Sequence, residues 1–162
     1  MYPTHMLGDP IIGVVSDTHG YYDPALDRLF AGAAHIVHAG DVGTLSIIAR
    51  LRGLAPLTAV AGNTDLPGFG DQLPWEAEVE AVGMRILVCH IGQSLMGRHD
   101  PVAEGFDLVI SGHSHVAAVE WRAETLFLNP GSAGRARFAQ PRSAALVTVT
   151  AGRPEPRLVP LA

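Results

Sequence analysis

The chain has 162 residues, of which 48% are hydrophobic and 17% are charged, and its formal net charge is −5. This length is enough for one domain with a substantial core and short for two, and the negative charge argues against a broad nucleic-acid-binding face. A single cysteine, Cys89, excludes an internal disulfide framework and favours a reducing compartment. No apolar run approaches the ~20 residues of a membrane span, and residues 1–9 do not resemble a signal peptide. We therefore predict a cytoplasmic protein with no membrane partner.

The first half of the chain alternates strands and helices. We predict a loosely attached leader over residues 1–10 and a single domain over residues 11–162. Short runs rich in β-branched residues predict strands at 11–15, 35–41 and 57–61. Helical spacing of apolar residues predicts helices from Pro24 to Gly32 and over 44–52. This alternation is typical of a parallel sheet with right-handed crossovers.

The second half is predicted to be mainly β-structure. After a loop at 66–74, apolar and acidic residues alternate over 75–82, and Gly83 turns this strand into the next, at 84–89. A loop with one helical turn follows at 92–104. The remaining predicted elements are a strand at 107–110, a hairpin of 116–121 and 125–128, a turn at 129–132, and strands at 143–149 and 157–161. We expect two sheets packed face to face with helices outside, in one domain.

Polar side chains follow five of these strands at the point where each strand ends. They are Asp17 and His19 after the first strand, Asp41 after the second, Asn63 after the third, His90 after residues 84–89, and His113 and His115 after residues 107–110. In α/β sheets, ligands bind at the carboxyl ends of the strands. Taken singly, each residue is also explained by a helix cap, a turn or a structural histidine. Five such coincidences favour one shared site.

This residue set predicts a metal centre. Seven polar groups in one patch are costly to bury, and two divalent cations would remove that cost. A carboxylate that bridges two metals ~3.5–4 Å apart is typical of two-metal hydrolysis. No cysteine joins the set, which excludes a structural Cys-type zinc site. Mixed imidazole, carboxylate and amide ligands suit manganese, iron, zinc, nickel or cobalt, and of these we expect two manganese ions first.

The motifs resemble those of a known family, the calcineurin-like metallophosphoesterase superfamily. They are Asp17-x-His19, Gly40-Asp41, Gly62-Asn63-x-Asp65, His90 and Gly112-His113-Ser114-His115. The length, the hairpin at 75–88 and the Asn-Pro-Gly-Ser turn at 129–132 resemble its small bacterial and archaeal phosphodiesterase branch. The resemblance covers residues 11–149 and implies an α/β fold, a four-layer αββα sandwich of two packed mixed β-sheets with flanking helices. The same fold also serves a retromer subunit that is a scaffold.

The resemblance also implies roles for the seven residues. Asp17, His19 and His115 would hold the first metal, Asn63, His90 and His113 would complete the second, and Asp41 would bridge the two. It implies a phosphodiesterase or phosphatase in which a hydroxide held between the metals attacks phosphorus in line, with Asp41, Asn63 and His90 as catalytic residues. The expected substrate is a small phosphate ester such as a nucleotide. Family members commonly self-associate, so a homo-oligomer is one expected assembly.

Two positions depart from the fuller family pattern. Many members place a proton-donating histidine directly after the metal-binding asparagine, where this chain has Thr64. Many small members read His-Gly-His where this chain has His90-Ile91-Gly92. General-acid catalysis contributes ~10²–10⁴-fold, so we expect activity on activated phosphodiesters and little on alkyl phosphomonoesters. His99 is a candidate substitute donor, although a mobile surface histidine is the simpler interpretation.

Several residues near the motifs have two interpretations. Backbone amides near Gly20 or Gly43 are candidates to bind phosphoryl oxygens, and so are Arg135 and Arg137, for which solvated surface charge is the alternative. His38 is predicted either to pack within the sheet or to support a metal ligand. Asp65 is predicted either to orient Asn63 or to cap a loop.

The function itself has two hypotheses. The first is the metal-dependent phosphoesterase, and the second is a non-catalytic scaffold that retains the fold and binds a protein partner. A scaffold is free to lose metal ligands, and all seven are present here, which favours the enzyme. Substrate specificity is expected in the loops at 66–74 and 92–101.

Overall fold

The structure is a computed structural model that describes residues 8–65, 72–136 and 140–162. The first seven residues of the predicted leader, residues 66–71 of the first predicted specificity loop, and Arg137 lie outside these ranges. In chain order the elements are β1 (Ile11–Val15), α1 (Ala25–Leu29), β2 (His35–His38), α2 (Leu45–Arg52), β3 (Leu57–Ala59), β4 (Glu76–Ala81), β5 (Met84–Cys89), a 3₁₀ helix (Gly92–Leu95), β6 (Leu108–Ile110), β7 (Ala118–Arg122), β8 (Thr125–Asn129), β9 (Arg142–Thr150) and β10 (Arg153–Leu161).

The strands form two mixed sheets of five strands each. The first has the order β10-β9-β1-β2-β3 and the second the order β4-β5-β6-β8-β7. β1, β2 and β3 run parallel, as predicted, and β5, β6 and β8 are parallel in the second sheet. Val15 lies opposite His38, which in turn lies opposite Ala59. The first three strands therefore end side by side.

The two sheets pack face to face around the main core. Val14 and Val37 of the first sheet belong to the same buried cluster as Ile86 and Leu108 of the second. A second cluster, which includes Phe30, lies between the first sheet and the helices. On the outer face of the second sheet, a third cluster lies beneath the 3₁₀ helix and the loop that follows it. The predicted α/β sandwich is confirmed, with the fourth layer formed by this 3₁₀ helix.

The two α-helices listed above are short and begin one residue after their predicted starts, and α1 ends at Leu29, before the predicted end at Gly32. The backbone N–H of Ala25 donates to the Asp23 carboxylate at 2.8 Å at the start of α1. Thr44 is the N-cap of α2, and Gly53 is its C-cap. Within the described ranges, no helix is both long and apolar enough to cross a bilayer.

The last strand differs from its prediction. β10 starts at Arg153, four residues before the predicted strand, and contains Pro154, Pro156 and Pro160. Three prolines argue against a strand because each lacks an N–H. The three prolines are separated by even numbers of residues, so their nitrogens point to the same side of the strand. β10 is an edge strand that pairs only with β9. The prolines therefore leave the ladder intact and protect the open edge from pairing with another chain.

Candidate metal centre

The seven predicted ligands follow the carboxyl ends of five strands, three parallel strands of the first sheet and two parallel strands of the second. Asp17 and His19 follow β1, Asp41 follows β2, Asn63 follows β3, His90 follows β5, and His113 and His115 follow β6. Backbone hydrogen bonds tie the loops that carry them. The N–H of Asp17 donates to the carbonyl of Gly40 at 2.9 Å, and the N–H of Gly112 donates to the carbonyl of His90 at 2.9 Å. The structure thus brings together residues that are up to 98 positions apart in the chain (17 to 115).

The Asp17 carboxylate is held through one oxygen and presents the other to the centre. Its Oδ2 accepts the Ser16 hydroxyl at 2.6 Å and the backbone N–H of His113 at 3.1 Å. Its Oδ1 is buried and has no hydrogen-bond partner. The Nε2 atoms of His115, His19 and His90 lie 3.1, 3.6 and 3.8 Å from this oxygen. Burial raises the pKa of Asp17, and its histidine and Ser16 neighbours more than offset this, so the pKa lies below its usual value.

The Asp41 carboxylate is likewise held through one oxygen and presents the other to the centre. Its Oδ1 accepts the backbone N–H of Thr64 at 2.9 Å, while its Oδ2 lies 3.1 Å from Nε2 of His90 and 3.7 Å from Nε2 of His19. Burial raises the pKa of this carboxyl group, but His90 and the Thr64 amide lower it far more, so its pKa lies well below the usual range. Asp41 is therefore ionised at neutral pH.

His90 points an unpartnered nitrogen at these carboxylates. Its Nδ1–H donates to the carbonyl of Ala39 at 2.8 Å, which leaves Nε2 as the free ring nitrogen. Nε2 is buried, and its 3.1 Å approach to Asp41 lacks hydrogen-bond alignment. In neutral His90, a nitrogen lone pair would thus face two carboxylate oxygens. Burial lowers the pKa of His90, but Asp41 and Asp17 raise it above the usual value, so the arrangement requires a cation or a proton.

The four histidines of the centre lie in two pairs, His19 with His115 and His90 with His113. His19 and His115 approach each other at 3.3 Å between their Nε2 atoms. The rings of His90 and His113 have centroids 5.3 Å apart, and Nδ1 of His113 lies 3.2 Å from Oδ1 of Asn63. Asn63 and His113 are exposed, whereas the Asp17 and His90 side chains are buried. The centre is therefore open to solvent on the side of Asn63 and His113.

Five of the seven residues have a left-handed backbone. Asp17, His19, Asp41, His113 and His115 have φ between 47° and 71°. This region is uncommon for residues other than glycine and costs of order 1–2 kcal/mol each. The only other such residues in the described ranges are in hairpin turns, namely Val82, Ala123 and Ala151. Strained backbone of this kind concentrates at functional sites.

The donor set fits divalent metal ions. The buried, unpartnered Asp17 Oδ1 and His90 Nε2 are an acceptor and a lone-pair donor aimed at the same space. Asp17, His19 and His115 present ligand atoms within 4.8 Å of one another, and so do Asp17, Asp41 and His90. Buried charges in proteins are paired or coordinate metals. These two overlapping groups are therefore suited to hold cations.

Glycines allow the motifs to approach so closely. A Cβ atom at Gly40 would lie 2.8 Å from Nδ1 of His90, and one at Gly112 would lie 2.6 Å from Oδ2 of Asp17. Neither distance is tolerated by a real side chain. The glycine in each of these Gly-Asp and Gly-His pairs is therefore needed because a side chain there would clash with a neighbouring motif.

The sequence-based interpretation missed two supports of Asp17. Ser16 orients the carboxylate, and the Ser132 hydroxyl donates to the Asp17 carbonyl at 3.0 Å. In the same 129–132 turn, Asn129 donates to the carbonyl of Gly112 at 2.9 Å. The Asn-Pro-Gly-Ser turn therefore braces the loops after β1 and β6. Its composition signals a turn but not what the turn contacts.

His38 packs within the sheet, the first of its two predicted positions, and its hydrogen bonds are to neighbours of the proposed metal ligands. It is fully buried, and its Nδ1 accepts the N–H of Gly40 at 3.1 Å. The Thr18 hydroxyl donates to the Val42 carbonyl and therefore accepts from Nε2–H of His38 at 2.9 Å. Burial lowers the pKa of His38 to about 4, so this histidine is neutral at pH 7.

Asp65 is a loop clamp and not an orienter of Asn63. It is buried, and its carboxylate accepts the backbone N–H groups of Val42, Gly43 and Gly62 at 3.1, 3.1 and 2.9 Å. The loop-capping alternative is thus the one that the structure supports. Asp65 joins the loops that carry Asp41 and Asn63.

Two of the backbone amides near the predicted phosphate-binding positions are engaged within the protein. The amide of Gly20 donates to the Val42 carbonyl and that of Gly43 donates to Asp65, so neither of these two is free for a phosphoryl oxygen, and binding by other amides nearby stays a prediction. The Arg135 guanidinium lies 4.8 Å from the centroid of the Tyr21 ring.

His99 lies between two acidic side chains. Its Nε2 lies 2.7 Å from Glu76 and its Nδ1 lies 2.8 Å from Glu104, so both ring nitrogens are occupied. Its side chain is only 13% exposed. His99 is thus anchored by two carboxylates, unlike a free surface side chain, and its role as a substitute proton donor stays a prediction. The contact to Glu104 and then that to Glu76 raise its pKa above the usual value.

We expect His99 to stabilise the fold most strongly in mildly acidic solution. A raised pKa adds stability that is complete below the unfolded value of ~6.5 and is lost as the pH rises through the folded pKa. Burial raises the pKa of Glu76, but Arg98 and His99 lower it more, so it lies below its usual value. Glu76 therefore contributes its full stability only above the unfolded pKa of ~4.5 and loses it as the pH falls through the folded pKa. His99→Gln should therefore lower the melting temperature more at about pH 6 than at about pH 9. In the control His35→Gln, only a contact to Thr58 is lost, and the deficit should not grow toward pH 6. Equal His99→Gln deficits at both pH values would contradict the assignment.

Comparison with known proteins identifies the family. Residues 11–152 match the model of the calcineurin-like phosphoesterase superfamily domain. A probable metallophosphoesterase from Methanocaldococcus jannaschii is 35% identical over 138 residues, which are 77% of this chain and 69% of that protein. A structure described as a novel archaeal phosphodiesterase has a TM-score of 0.71 at 23% identity and covers 93% of this chain and 99% of its own. Wild-type Vps29 from Entamoeba histolytica in complex with Zn²⁺ has a TM-score of 0.67 at 20% identity, over 93% of this chain and 98% of its own. The family match spans most of the described sandwich, and the chain belongs to the calcineurin-like phosphoesterase superfamily.

Proposed function

We propose that this protein is a metal-dependent phosphodiesterase with a two-metal centre, for which manganese is the first expectation. The observation that carries the proposal is the pair of buried atoms without partners, Asp17 Oδ1 and His90 Nε2, 3.8 Å apart where five strands end. The relatives named probable metallophosphoesterases and the archaeal phosphodiesterase structure support it. The single cysteine is buried and free, which supports the predicted cytoplasmic location.

The geometry supports the division of ligands between two metals. Asp17, His19 and His115 would hold the first metal, and Asn63, His90 and His113 would hold the second. Asp41 Oδ2 lies within 3.7 Å of His19 and 3.1 Å of His90, one histidine of each group, which suits a bridging carboxylate. When bound, two divalent ions supply a water of lowered pKa and positive charge for the phosphoryl oxygens.

The protein's own residues shape the rest of the reaction. Asn63 is a neutral ligand, so it leaves more net positive charge facing a phosphate than a carboxylate would. Because Asn63 and His113 lie on the exposed side, the ester approaches there. Thr64, at the position of the family's proton donor, uses its backbone N–H to hold Asp41. Its hydroxyl is a poor acid, so the leaving group departs largely without a proton from this position.

The absence of a histidine proton donor at position 64 predicts how the rate depends on the leaving group. For aryl methyl phosphodiesters, we expect the rate to fall steeply as the pKa of the leaving phenol rises, because the departing oxygen carries its negative charge unassisted. General-acid catalysis is worth ~10²–10⁴-fold, so Thr64→His should restore part of this factor for the poorest leaving groups. The measurement is kcat/KM for each ester with manganese present. A rate independent of leaving-group pKa in the wild type would contradict the prediction.

The direct test of the proposed function is metal reconstitution. The purified protein is stripped with a chelator, supplied with manganese, iron, zinc, nickel or cobalt, and assayed with bis(4-nitrophenyl) phosphate. We expect turnover that depends on added metal and a metal content of two ions per chain. Two bound ions without turnover on any phosphodiester would overturn the proposal that the protein is an enzyme.

A scaffold is the second candidate, favoured by the likeness to Vps29 structures. It would keep the fold and bind metal, and it would hydrolyse no ester. The reconstitution experiment separates the two candidates because only the enzyme links metal content to turnover.

A further inference from the structure

A small pocket opens beside the metal centre on its solvent side. Its volume is about 220 Å³, and its lining includes Asn63 and His90, the proposed ligands of the second metal. Trp75, Ile91 and Arg98 line the remainder together with smaller side chains. Pockets for drug-sized molecules are typically ~300–1,000 Å³. This pocket is therefore suited to one ring system attached to a phosphate at the metals.

Trp75 is unusually exposed for its size. It precedes β4, and 51% of its surface is accessible, the largest fraction among the exposed large hydrophobic residues of the described chain. Leu73, two residues before Trp75, is buried in the second core cluster and anchors the chain at that point. An indole ring left in solvent next to a reaction centre provides a flat surface on which a planar ring can stack.

Arg98 adds an oriented positive charge to the same pocket. Its Nη2 lies 2.6 Å from Oε1 of Glu76, and Glu76 is itself held through Oε2 by His99 at 2.7 Å. A guanidinium fixed in this way presents a planar face on which an aromatic ring can stack. An indole ring and an oriented guanidinium together suit a planar ring system.

We infer that this pocket binds the base of a nucleoside phosphodiester, with Trp75 as its stacking surface and Arg98 as a second contact. The inference rests on the proposed function, which places the phosphate at the neighbouring metals. It assigns substrate selection to residues 75 and 98, which flank the metal centre in the fold and belong to none of its motifs. Trp75 and Arg98 act here as specificity residues and hold no metal.

A binding experiment tests the pocket without turnover. The variant Trp121→Phe leaves Trp75 as the single tryptophan, since the chain has two. Its fluorescence, excited at about 295 nm, is titrated with adenosine 5′-monophosphate and, separately, with ribose 5-phosphate, which lacks the base. We expect saturable quenching by the nucleotide and none by the sugar phosphate, and no quenching in Trp75→Phe. Quenching that is equal for both ligands, or absent for both, would overturn the inference.

A kinetic experiment tests selection during the reaction. Thymidine 5′-(4-nitrophenyl) phosphate and methyl 4-nitrophenyl phosphate share a leaving group and differ in the second ester group, which is a nucleoside in the first and a methyl group in the second. Base stacking on an aromatic side chain is worth roughly 5- to 150-fold in affinity. Trp75→Leu should therefore raise KM for the thymidine ester by roughly that factor and leave the methyl ester within twofold. Arg98→Gln should act in the same direction.

The second tryptophan supplies the matched control. Trp121 is 38% exposed on β7, in the second sheet, and its ring lies 5.0 Å from the Arg153 guanidinium. Trp121→Leu should change KM for neither ester. Equal effects of Trp75→Leu on both esters would overturn the inference while leaving the phosphodiesterase in place. No turnover of either ester by the wild type would overturn the proposed function, and the fluorescence titration would still decide on the pocket.

Discussion

Replacing Asp41 with alanine is expected to reduce metal-dependent phosphodiester hydrolysis by roughly 10³-fold or more. The side chain faces one histidine of each proposed metal group, so its loss affects both ions at once. It also removes the acceptor of the Thr64 amide and the charge opposite His90. The measurement is kcat/KM for bis(4-nitrophenyl) phosphate with manganese, together with the metal content of each variant.

Two further variants separate charge from structure. Asp41→Asn keeps an oxygen for the Thr64 N–H and removes the charge, so we expect most of the activity loss with less loss of stability. Asp27→Ala is the control, because Asp27 is a surface carboxylate paired with Arg50 at 2.8 Å. It should leave kcat/KM within about twofold. Metal-dependent activity of Asp41→Ala within tenfold of the wild type would contradict the bridging role.

Replacing Asp65 with alanine is expected to destabilise the fold by about 3 kcal/mol or more. Three backbone N–H groups lose their acceptor, and hydrogen bonds to charged groups contribute ~1.5–3 kcal/mol each, with an added cost for buried donors left unpaired. The expected loss is measured as the free energy of unfolding in urea with metal chelated. Metal affinity should fall as well, because Asp65 ties the loop after Asp41 to Gly62, next to Asn63.

A graded series gives this prediction its controls. Asp65→Asn keeps one acceptor oxygen and should be intermediate. Asp107→Ala removes a carboxylate that accepts one described backbone amide, that of Arg85 at 2.8 Å, and should cost about 1.5 kcal/mol, the lower end of the range for hydrogen bonds to charged groups, because this contact is only part-buried. An Asp65→Ala loss no larger than that of Asp107→Ala would show that the clamp adds little to stability.

The sequence predicts the strands and the candidate ligands well because both follow local rules. Apolar runs end at Asp17, Asp41 and His90, and each end is visible in the chain itself. The prolines of β10 are harder, since a proline is compatible with a strand only if its nitrogen faces an open edge. Whether an edge is open depends on the order of strands in the sheet, which no local pattern states.

The contacts that complete the site also cannot be predicted from local sequence, because they join residues far apart in the chain. His99 meets Glu76 from a strand 23 residues earlier in the chain, and Ser132 reaches the Asp17 carbonyl across 115 residues. Gly20 and Gly43 look free in sequence, yet the pairing of their loops uses both amides. Turn composition predicts that such segments bend, and only the packed fold shows which groups remain available.

The left-handed backbone at five of the seven ligands has a consequence for how the centre is filled. Such torsions persist only where the surrounding framework enforces them, so the donors are set in place by the folded sheets before any ion arrives. The ion is then not the organiser of the chain, unlike the zinc of small domains that fold only around their metal. A chelator should empty this protein while its circular dichroism spectrum stays native, and adding manganese back should restore turnover without a refolding step.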